Sequence, residues 1–331
     1  MVSEAEWDVV GLGNAIVDLL VRVDEPRLAE LGLAKGTMSL VDEAEAVRLT
    51  ERFPGAVTCS GGSAANTMAG VASLGGRAAY IGKVREDDLG RAFAEDIRRA
   101  GVHFATPPAA EGPATARCIV LVTPDGQRTM QTFLGASTGL GPGDVDERLV
   151  RASRVTYLEG YLWDPPQAKE AFVTAARAAH EAGRLVALSL SDPICVERHR
   201  DSFRDLVGGH VDVLFANEEE IRSLFETDSF DEAAAQAAAT CRIAALTRGP
   251  RGSVVLWEGT RHDIPAEPVP EVVDTTGAGD LYAAGFLYGL TRGWDAERCG
   301  RLGGLAAAAV LGSLGARPGR TLAPLASRMQ R

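Results

Sequence analysis

The stretch DTTGAGDLYAAGF, at residues 274–286, puts three small residues and one carboxylate where an extended segment becomes a helix. A helix N-terminus exposes backbone N–H groups and a partial positive charge, and both attract an anion. Gly277, Ala278 and Gly279 have almost no side chain, so a phosphoryl group could approach the backbone closely. Asp280 would lie beside that anion site, where it could accept a proton from an attacking hydroxyl. These residues suit phosphoryl transfer from a nucleotide to an alcohol. They fit equally well a glycine-rich helix packed on a strand, with Asp280 as a first-turn charge.

Short runs rich in Val, Ile and Leu alternate with segments of helical period in the part of the chain before this stretch. The runs that predict strands are WDVVGLG (7–13), AAYIGKV (78–84), RVTYLEG (154–160), RLVALSLS (184–191), VDVLFAN (211–217) and IAALTRG (243–249). Helices are predicted at 63–75, with Ser63 as the cap, at 88–101 and at 167–183. This alternation is typical of an α/β fold with a mostly parallel central sheet and helices on both faces.

Two segments interrupt the alternation. Residues 17–41 contain VDLLVRVDE and GTMSLVD, and residues 114–134 contain two β-rich runs around the turn TPDGQ. These segments predict a small β-sheet inserted into the α/β frame. Because they are separated in sequence, they would have to meet in space, as a lid. The large domain is predicted at 1–16, 42–113 and 135–331.

Composition restricts the class of partner. The chain has 331 residues, of which 46% are hydrophobic and 24% charged, which is usual for a globular protein with a sizeable core. The net charge of −11 argues against nucleic acid or an anionic membrane as a partner, so a small molecule is expected. Five scattered cysteines without a CxxC pair predict reduced thiols and no structural zinc. The acidic start of the chain is unlike an export signal, and the run at 302–316 predicts a core helix, so we expect a cytoplasmic protein.

DTTGAGDLYAAGF resembles the C-terminal signature of the ribokinase-like (PfkB) family of carbohydrate and nucleoside kinases, DTxGAGD followed by small and aromatic residues. SGGSAANTMAGVASLG, at residues 60–75, resembles the second family signature, a diglycine near the first helix. Both stand in the expected order and separation, and the resemblance covers nearly the whole chain. It implies a ribokinase-like fold with a β-sheet lid, and an ATP- and Mg²⁺-dependent kinase that phosphorylates an alcohol.

The resemblance assigns roles at the phosphate end. It implies that Asp280 is the catalytic base and that the backbone of residues 277–279 stabilises the transferring phosphate. Four further positions are similar to the family's monovalent-cation site, namely Asp274, Thr276, Ser313 and Gly315. A requirement for K⁺ stays open, because not every member of the family uses the cation.

The resemblance also implies which residues hold the sugar hydroxyls of the substrate. They are Asn14, Asp18, Gly61, Gly62 and Asn66. Asp18 suits this role, because a carboxylate can accept hydrogen bonds from two vicinal hydroxyls. Taken singly, the polar residues also fit a turn, a strand-end charge and a helix residue bonded to local backbone. Arg128, on a predicted lid strand, could reach the transferred phosphate on closure or could be an exposed strand arginine.

Two motifs are similar to the family's nucleotide end. ANEEE, at residues 216–220, resembles the NxxE motif, in which Asn217 and Glu220 organise magnesium and phosphate, often through water. A helix start capped by Asn217 explains the same residues, and the two roles can coexist. TRGPRGS, at 247–253, resembles the turn beside ATP, and is otherwise a tight turn. The resemblance implies phosphate and ribose contacts for Thr247, Gly249 and Gly252.

Other nucleotide-binding motifs fit poorly. GRAAYIGKV, at residues 76–84, has the wrong spacing for GxxxxGK[ST] and carries Val84 in place of the hydroxyl residue, which disfavours a P-loop kinase. GLGNAIVD, at residues 11–18, lacks the third glycine of a dinucleotide-binding GxGxxG.

Within the family, GNAIVD fits the GNxxxD of adenosine kinases, and LSLSDPICVERHR (188–200) resembles their NLSxP segment. EGYLWDPP (159–166) resembles their segment that faces the nucleobase, which makes Tyr161, with Leu162 and Trp163, a candidate stacking wall. Core packing would explain the same three residues. The resemblance thus implies phosphorylation of the 5′-hydroxyl of a ribonucleoside, with adenosine as the expected substrate.

Departures from that pattern keep alternatives open. Tyr-Leu-Trp replaces two phenylalanines, and Ser189 and Asp192 replace an Asn and a small residue. A sugar kinase of the ribokinase or fructokinase type is therefore the alternative. A non-catalytic nucleotide- or sugar-binding regulator is a third hypothesis, against which the intact run ending in Asp280 argues. Both a monomer and a lid-mediated homodimer are expected states in this family.

Overall fold

The computed structural model describes residues 5–313, 315–317 and 319–329. The strands in this part of the chain are β1 (Trp7–Leu12), β2 (Ile16–Arg22), β3 (Met38–Leu40), β4 (Val57–Gly61), β5 (Ala78–Ile81), β6 (Val102–Phe104), β7 (Ala116–Val122), β8 (Arg128–Phe133), β9 (Ser153–Glu159), β10 (Leu185–Ser189), β11 (Val213–Asn217), β12 (Ile243–Thr247), β13 (Ser253–Trp257) and β14 (Thr260–Ile264). The α-helices are α1 (Glu25–Glu30), α2 (Glu43–Glu51), α3 (Ser63–Ser73), α4 (Asp88–Arg99), α5 (Glu147–Arg151), α6 (Pro166–Glu181), α7 (Pro193–His210), α8 (Glu218–Phe225), α9 (Phe230–Thr240), α10 (Ala278–Leu290), α11 (Ala296–Leu311) and α12 (Ala323–Met329).

Nine strands form the large sheet, in the order β14-β13-β12-β11-β10-β9-β1-β5-β6. The seven strands from β12 to β6 run parallel, and β13 and β14 form an antiparallel edge. One hydrophobic cluster packs α3, α10 and α11 against one face, and a second packs α6 to α9 against the other. Burial on both faces explains why these strands read as continuous apolar runs. The predicted fold, a mostly parallel sheet with helices on both faces, is confirmed.

Five strands form the small sheet, in the order β3-β8-β7-β2-β4. The segments predicted as a lid supply β2, β3, β7 and β8. The fifth strand, β4, comes from residues 42–113, which the prediction gave to the large domain, and it pairs antiparallel with β2. Its sequence, VTCSG, is exposed at its start and buried only at its end, so it lacks the alternation that marks a strand. The small sheet therefore extends to Gly61.

Helices α10 and α11 pack with their backbones in close approach. A Cβ on Gly285 would lie 2.6 Å from the carbonyl oxygen of Leu302 and 2.8 Å from the Cα of Gly303. This contact fixes α10 against α11 and so constrains the direction of the α10 N-terminus. The core helix predicted at 302–316 is the second half of α11, which ends at Leu311. Among the described residues, no helix is long and apolar enough to cross a bilayer.

We predict that Gly285→Ala lowers the free energy of unfolding by about 1–3 kcal/mol, because the added methyl group must push two backbones apart. Gly304→Ala, in the middle of α11, is the matched control. A Cβ at Gly304 meets only the Cγ of Glu267, at an ordinary 3.7 Å. The control should be neutral or stabilised by about 0.5 kcal/mol, since alanine favours a helix. Denaturant unfolding of both variants measures the difference, and equal stabilities would contradict the close packing.

Candidate active site

Several strands of the large sheet end at the same edge, where the parallel strands have their carboxyl ends. Asn14 lies two residues beyond β1, and Glu159, Asn217 and Thr247 are the last residues of β9, β11 and β12. In open α/β sheets, ligands bind at this edge. The fold therefore gathers polar residues that are far apart in sequence at the edge where a ligand is expected.

The N-terminus of α10 carries almost no side-chain bulk. Gly277 caps the helix with a φ of 77°, and a Cβ there would lie 2.4 Å from the carbonyl oxygen of Ala316, so only glycine fits. Gly279 is exposed, and apart from its chain neighbours and the backbone of its own helix, no atom of the described residues lies within 4 Å of the position of a Cβ on it. With Ala278 between them, these residues leave the first-turn N–H groups open to an anion.

Asp280 lies in the first turn of α10 and is half-buried. Its Oδ1 accepts a hydrogen bond of 2.6 Å from the Ser63 hydroxyl, and its Oδ2 accepts one of 3.2 Å from Asn66 Nδ2. Burial raises the pKa of Asp280 to about 6, against the opposing effects of these hydrogen bonds and of Arg317. The carboxylate forms no ion pair within the described part of the chain, so it remains available to accept a proton near neutral pH.

Ser63 does not cap α3, and that prediction was wrong. The N-cap is Gly62, whose φ is 98° and whose Cβ would lie 2.1 Å from the carbonyl oxygen of Asn14. Ser63 is instead the first helical residue, and its hydroxyl is turned to Asp280. The position of Ser63 directly after the diglycine is the sequence feature that could have indicated its contact with Asp280. A serine before an apolar helix, however, is normally interpreted as an N-cap.

Asp18, on β2, is half-buried and accepts no hydrogen bond from any residue that the structure describes. A Cβ on Gly61 would lie 2.4 Å from Asp18 Oδ2, so the glycine makes room for the carboxylate. Burial raises the pKa of Asp18 to about 6, while Arg317 and Arg128 oppose this and Asp280 adds to it. Both oxygens are thus free to accept hydrogen bonds from a ligand.

Asn14 is buried and bound to Glu159, a residue that the sequence analysis did not single out. The backbone N and the Nδ2 of Asn14 donate to Glu159 Oε1, at 3.2 and 2.8 Å, and the N of Ala64 donates to Oε2 at 2.7 Å. Burial raises the pKa of Glu159 to about 7, against the effect of these donors. Glu159 therefore ties the end of β1 to the start of α3. An acid that ends an otherwise apolar strand was the only sign of it in the sequence.

Asn66 and Arg317 extend the hydrogen-bond network around Asp280. The Nε of Arg317 donates to Asn66 Oδ1 at 3.0 Å, and its Nη1 donates to the Ser60 hydroxyl at 2.8 Å. The Asn66 amide, predicted to bind a ribose oxygen, is thus engaged on both sides. No motif pointed to Arg317, which follows α11 in an irregular segment.

Arg128 and Asp274 form an ion pair between β8 and the segment before α10, and both side chains are buried. Asp274 also accepts hydrogen bonds of 2.9 Å from the backbone N of Thr276 and of Gly315. The structure thus brings Asp274, Thr276 and Gly315 together, and these are three of the four predicted cation-site positions. The fourth, Ser313, comes two residues before Gly315 in the sequence. Arg128 joins the small sheet to the anion site.

The predicted aromatic wall is reduced to one residue. Tyr161 is 40% exposed, in a 3-10 turn after β9. Leu162 and Trp163 are in the core, where the Trp163 ring stacks on Phe203 and its Nε1 donates to the Ser202 hydroxyl. Of these three residues, only Tyr161 can therefore face a ligand, and for Leu162 and Trp163 the alternative of core packing is confirmed.

Asn217 and Glu220 form a reciprocal cap at the start of α8. Asn217 Oδ1 accepts from the N of Glu220 at 2.8 Å, and Glu220 accepts from the N and the Nδ2 of Asn217 at 2.9 and 2.6 Å. Burial raises the pKa of Glu220 to about 7. The described residues contain no group of three acids, histidines or cysteines that could hold a metal directly. A single carboxylate acting through water, with phosphates as the other ligands, still fits Mg²⁺.

The turn after β12 has the conformation that its glycines allow. Gly249 and Gly252 have φ values of 56° and 83°, and a Cβ on Gly252 would lie 2.0 Å from the carbonyl oxygen of Ile264. Thr247 pairs in register with Asn217, so the turn lies beside the start of α8. The three predicted nucleotide-contacting residues of this turn therefore adjoin the predicted magnesium position.

Comparison with known proteins agrees with this geometry. The family model of the pfkB carbohydrate kinases matches residues 31–321. An ATP-dependent ribose-1-phosphate kinase from Halopiger xanaduensis is 31% identical over 95% of both chains. The crystal structure of adenosine kinase from Sinorhizobium meliloti is 52% identical with a TM-score of 0.90, and that of a probable sugar kinase from Rhizobium etli is 49% identical with a TM-score of 0.91. Each covers 98% of this chain and 99% of the other.

The family model matches a range that includes the start of α10, Asp280 and most of the small sheet. The chain belongs to the pfkB family of carbohydrate kinases, and it is an ATP-dependent kinase that phosphorylates an alcohol group.

Proposed function

We propose that this kinase transfers the γ-phosphoryl group of ATP to the 5′-hydroxyl of a ribonucleoside, with adenosine as the preferred acceptor. The observation that carries the proposal is an apolar surface on the same face of the small sheet as Asp18. The similarity to the adenosine kinase of Sinorhizobium meliloti supports the same acceptor.

The register of the small sheet identifies that surface. Asp18 pairs with Cys118, and Cys118 pairs with Thr132, so these side chains share one face. Further residues of this face, in the same registers, are Val120, Met130, Met38 and Leu40. Met38 and Leu40 are 51% and 55% exposed, so part of the face lacks a partner within the described chain. We call it the inner face, since Arg128, which reaches Asp274, also belongs to it.

An apolar inner face beside a free carboxylate matches a nucleoside better than a sugar. Asp18 can accept hydrogen bonds from the vicinal hydroxyls of ribose, and the apolar side chains, with Tyr161, can cover a flat base. A free sugar carries hydroxyl groups on every side and would leave these apolar groups without a matching surface.

The chemistry follows from the start of α10. Asp280 accepts the proton of the acceptor hydroxyl while the oxygen forms its bond to the γ-phosphorus, and the bond from that phosphorus to the leaving oxygen of ADP breaks. The first-turn N–H groups of α10 stabilise the charge on the transferring group. Glu220, with Asn217, would hold Mg²⁺ through water, and the ion would neutralise phosphate charge.

A ribose phosphate is the second candidate acceptor. A relative that is 31% identical is an ATP-dependent ribose-1-phosphate kinase, and Arg128 and Arg317 both act electrostatically on Asp18. Two cations near the sugar-binding carboxylate could offset the charge of a phosphate ester. Arg128 is already paired with Asp274, which weakens this candidate relative to adenosine.

A panel of acceptors tests the choice directly. We predict that kcat/KM for adenosine exceeds the values for ribose, fructose and ribose 1-phosphate at least tenfold, because base stacking contributes about 1–3 kcal/mol. ADP formation with purified protein, ATP and Mg²⁺ measures this. 5′-Deoxyadenosine is the control: it should inhibit without giving product. An equal or higher kcat/KM for a free or phosphorylated sugar would identify that compound as the acceptor instead.

We predict that Asp280→Asn lowers kcat by about 10²- to 10⁴-fold, since the amide cannot accept the proton. Glu297→Gln is the matched control, because Glu297 is the exposed acid in the first turn of α11. If Asp280 were only a first-turn charge, both variants would retain nearly full activity. Wild-type turnover of Asp280→Asn would rule out its role as the base.

We predict that Asp18→Asn raises the KM for the acceptor by about 10- to 100-fold, the loss expected for one or two hydrogen bonds to a charged group. The KM for ATP should stay near its wild-type value and serves as the internal control. Steady-state kinetics with each substrate varied in turn measures both constants. Equal rises in the two KM values would contradict a role at the acceptor alone.

A further inference from the structure

Arg317 lies in the irregular segment after α11 and is in contact with residues of three other elements. Its Nε donates to Asn66 on α3, its Nη1 donates to Ser60 on β4, and the same Nη1 lies 3.5 Å from an oxygen of Asp96 on α4. Its side chain is only 22% exposed. A guanidinium held by so many groups beside a catalytic carboxylate has a fixed position.

The contact with Asn66 determines how that amide is oriented. Arginine can only donate hydrogen bonds, so the Asn66 atom that faces it must be the acceptor Oδ1. The donor Nδ2 is then left for Asp280, at 3.2 Å. If the amide were rotated by half a turn, Nδ2 would meet the arginine and Oδ1 would meet the carboxylate, and both contacts would be repulsive. Arg317 therefore selects the Asn66 orientation that supports Asp280.

Arg317 is itself anchored. The Ser60 hydroxyl donates to Asp96 Oδ2 at 2.6 Å, so its oxygen lone pairs remain for the arginine, and the N of Ser60 donates to the same oxygen at 2.9 Å. Although burial raises the pKa of Asp96, hydrogen bonds from Ser60 lower it below the usual value for an aspartate. Asp96 thus stays ionised and holds the cation in place.

Arg317 also supplies positive charge to a group of acids. Its charge lowers the pKa of both Asp280 and Asp18, which burial raises. The other charged or titratable groups that interact with Asp280 are Asp18 on β2, Glu159 and Tyr157 on β9, and Tyr161 after β9, while Arg128 on β8 acts on Asp18. Arg128 is paired with Asp274, so its charge is largely neutralised.

We propose that Arg317 is a positioning residue for phosphoryl transfer: it fixes the Asn66 amide so that Nδ2 donates to Asp280, and its charge favours the ionised form of that carboxyl group. The proposal rests on the role of Asp280 as the base. It adds a residue outside the signature motifs, contributed by the segment after α11, to the machinery of the reaction.

The pH dependence of kcat/KM for the acceptor separates the charge of Arg317 from its geometry. In the wild type, kcat/KM should rise with pH through about 6, because the base must lose its proton. This rise is the acid limb of the pH profile. Arg317→Gln removes the cation and should shift the acid limb to higher pH by about one unit. Arg317→Lys keeps the charge but not the fork of donors, so the limb should stay in place while kcat falls about 10- to 100-fold. Arg320→Gln, which removes an exposed charge from the same segment, is the control and should match the wild type.

A double-mutant cycle tests whether Arg317 acts through Asn66. Well above the acid limb, Arg317→Lys should cost much less kcat in an Asn66→Ala protein than in the wild type, since the amide to be oriented is gone. Equal losses in both backgrounds would overturn the proposal. So would a limb that does not move in Arg317→Gln, because a merely structural arginine would give that result.

The same measurements also distinguish a folding defect of Arg317→Gln and a failure of the role of Asp280 from a failure of the proposal for Arg317. If Arg317→Gln does not fold, as judged by its thermal melting, Arg317→Lys carries the test, and an unchanged kcat in that variant overturns the proposal. Asp280→Asn is measured alongside. If it keeps wild-type turnover, the role of Asp280 fails; if it is inactive while the Arg317 variants match the wild type, only the role of Arg317 fails.

Discussion

The candidate active site depends on one contact, the pair of hydrogen bonds that the start of α3 makes to the carboxylate of Asp280. Each helix start exposes N–H groups and a partial positive charge, so two helix starts that meet at one carboxylate stabilise it without a direct ion pair. A lysine or arginine bonded directly to Asp280 would compete for its lone pairs and lower its affinity for a proton. Neutral donors hold the carboxylate in place and leave its pKa near 6, where it can still accept a proton.

The surrounding structure must supply hydrogen-bond donors to two carboxyl groups that it buries. Glu159 and Asp280 both have their pKa values raised by burial, and each is satisfied by donors from α3, the N of Ala64 for Glu159 and two side chains for Asp280. A buried carboxylate without donors would be strongly destabilising. The requirement explains why the start of α3 follows two glycines, because a side chain on Gly62 would displace the backbone of Asn14.

The sequence could predict the parts of this site that are local and not those that are distant. The small residues and Asp280 occupy four consecutive positions, so their helix start was visible as a motif. Ser63 and Asn66 contact Asp280 across 217 and 214 residues, and Arg317 contacts Asn66 across 251, so no spacing reports those pairs. The parallel sheet was predictable because its strands are buried on both faces. Strand β4 was not, because an edge strand such as VTCSG is held by backbone pairing more than by apolar side chains.

Among the described residues, the small sheet contacts the candidate active site through Arg128 on Asp274 and through Ser60 on Arg317. The inner face of the same sheet carries Asp18 and the apolar side chains, while Ser60, in register with Val17, belongs to the opposite face. Asp18, which we propose binds the acceptor, therefore belongs to the same sheet as Arg128 and Ser60, which contact Asp274 and Arg317. Residues on the inner face can change to suit a nucleoside or a sugar, because none of them forms the α10 start. The position of the sheet cannot change freely, since moving it would break both contacts. This division separates the residues that we propose select the acceptor from those that hold Asp280 and the start of α10.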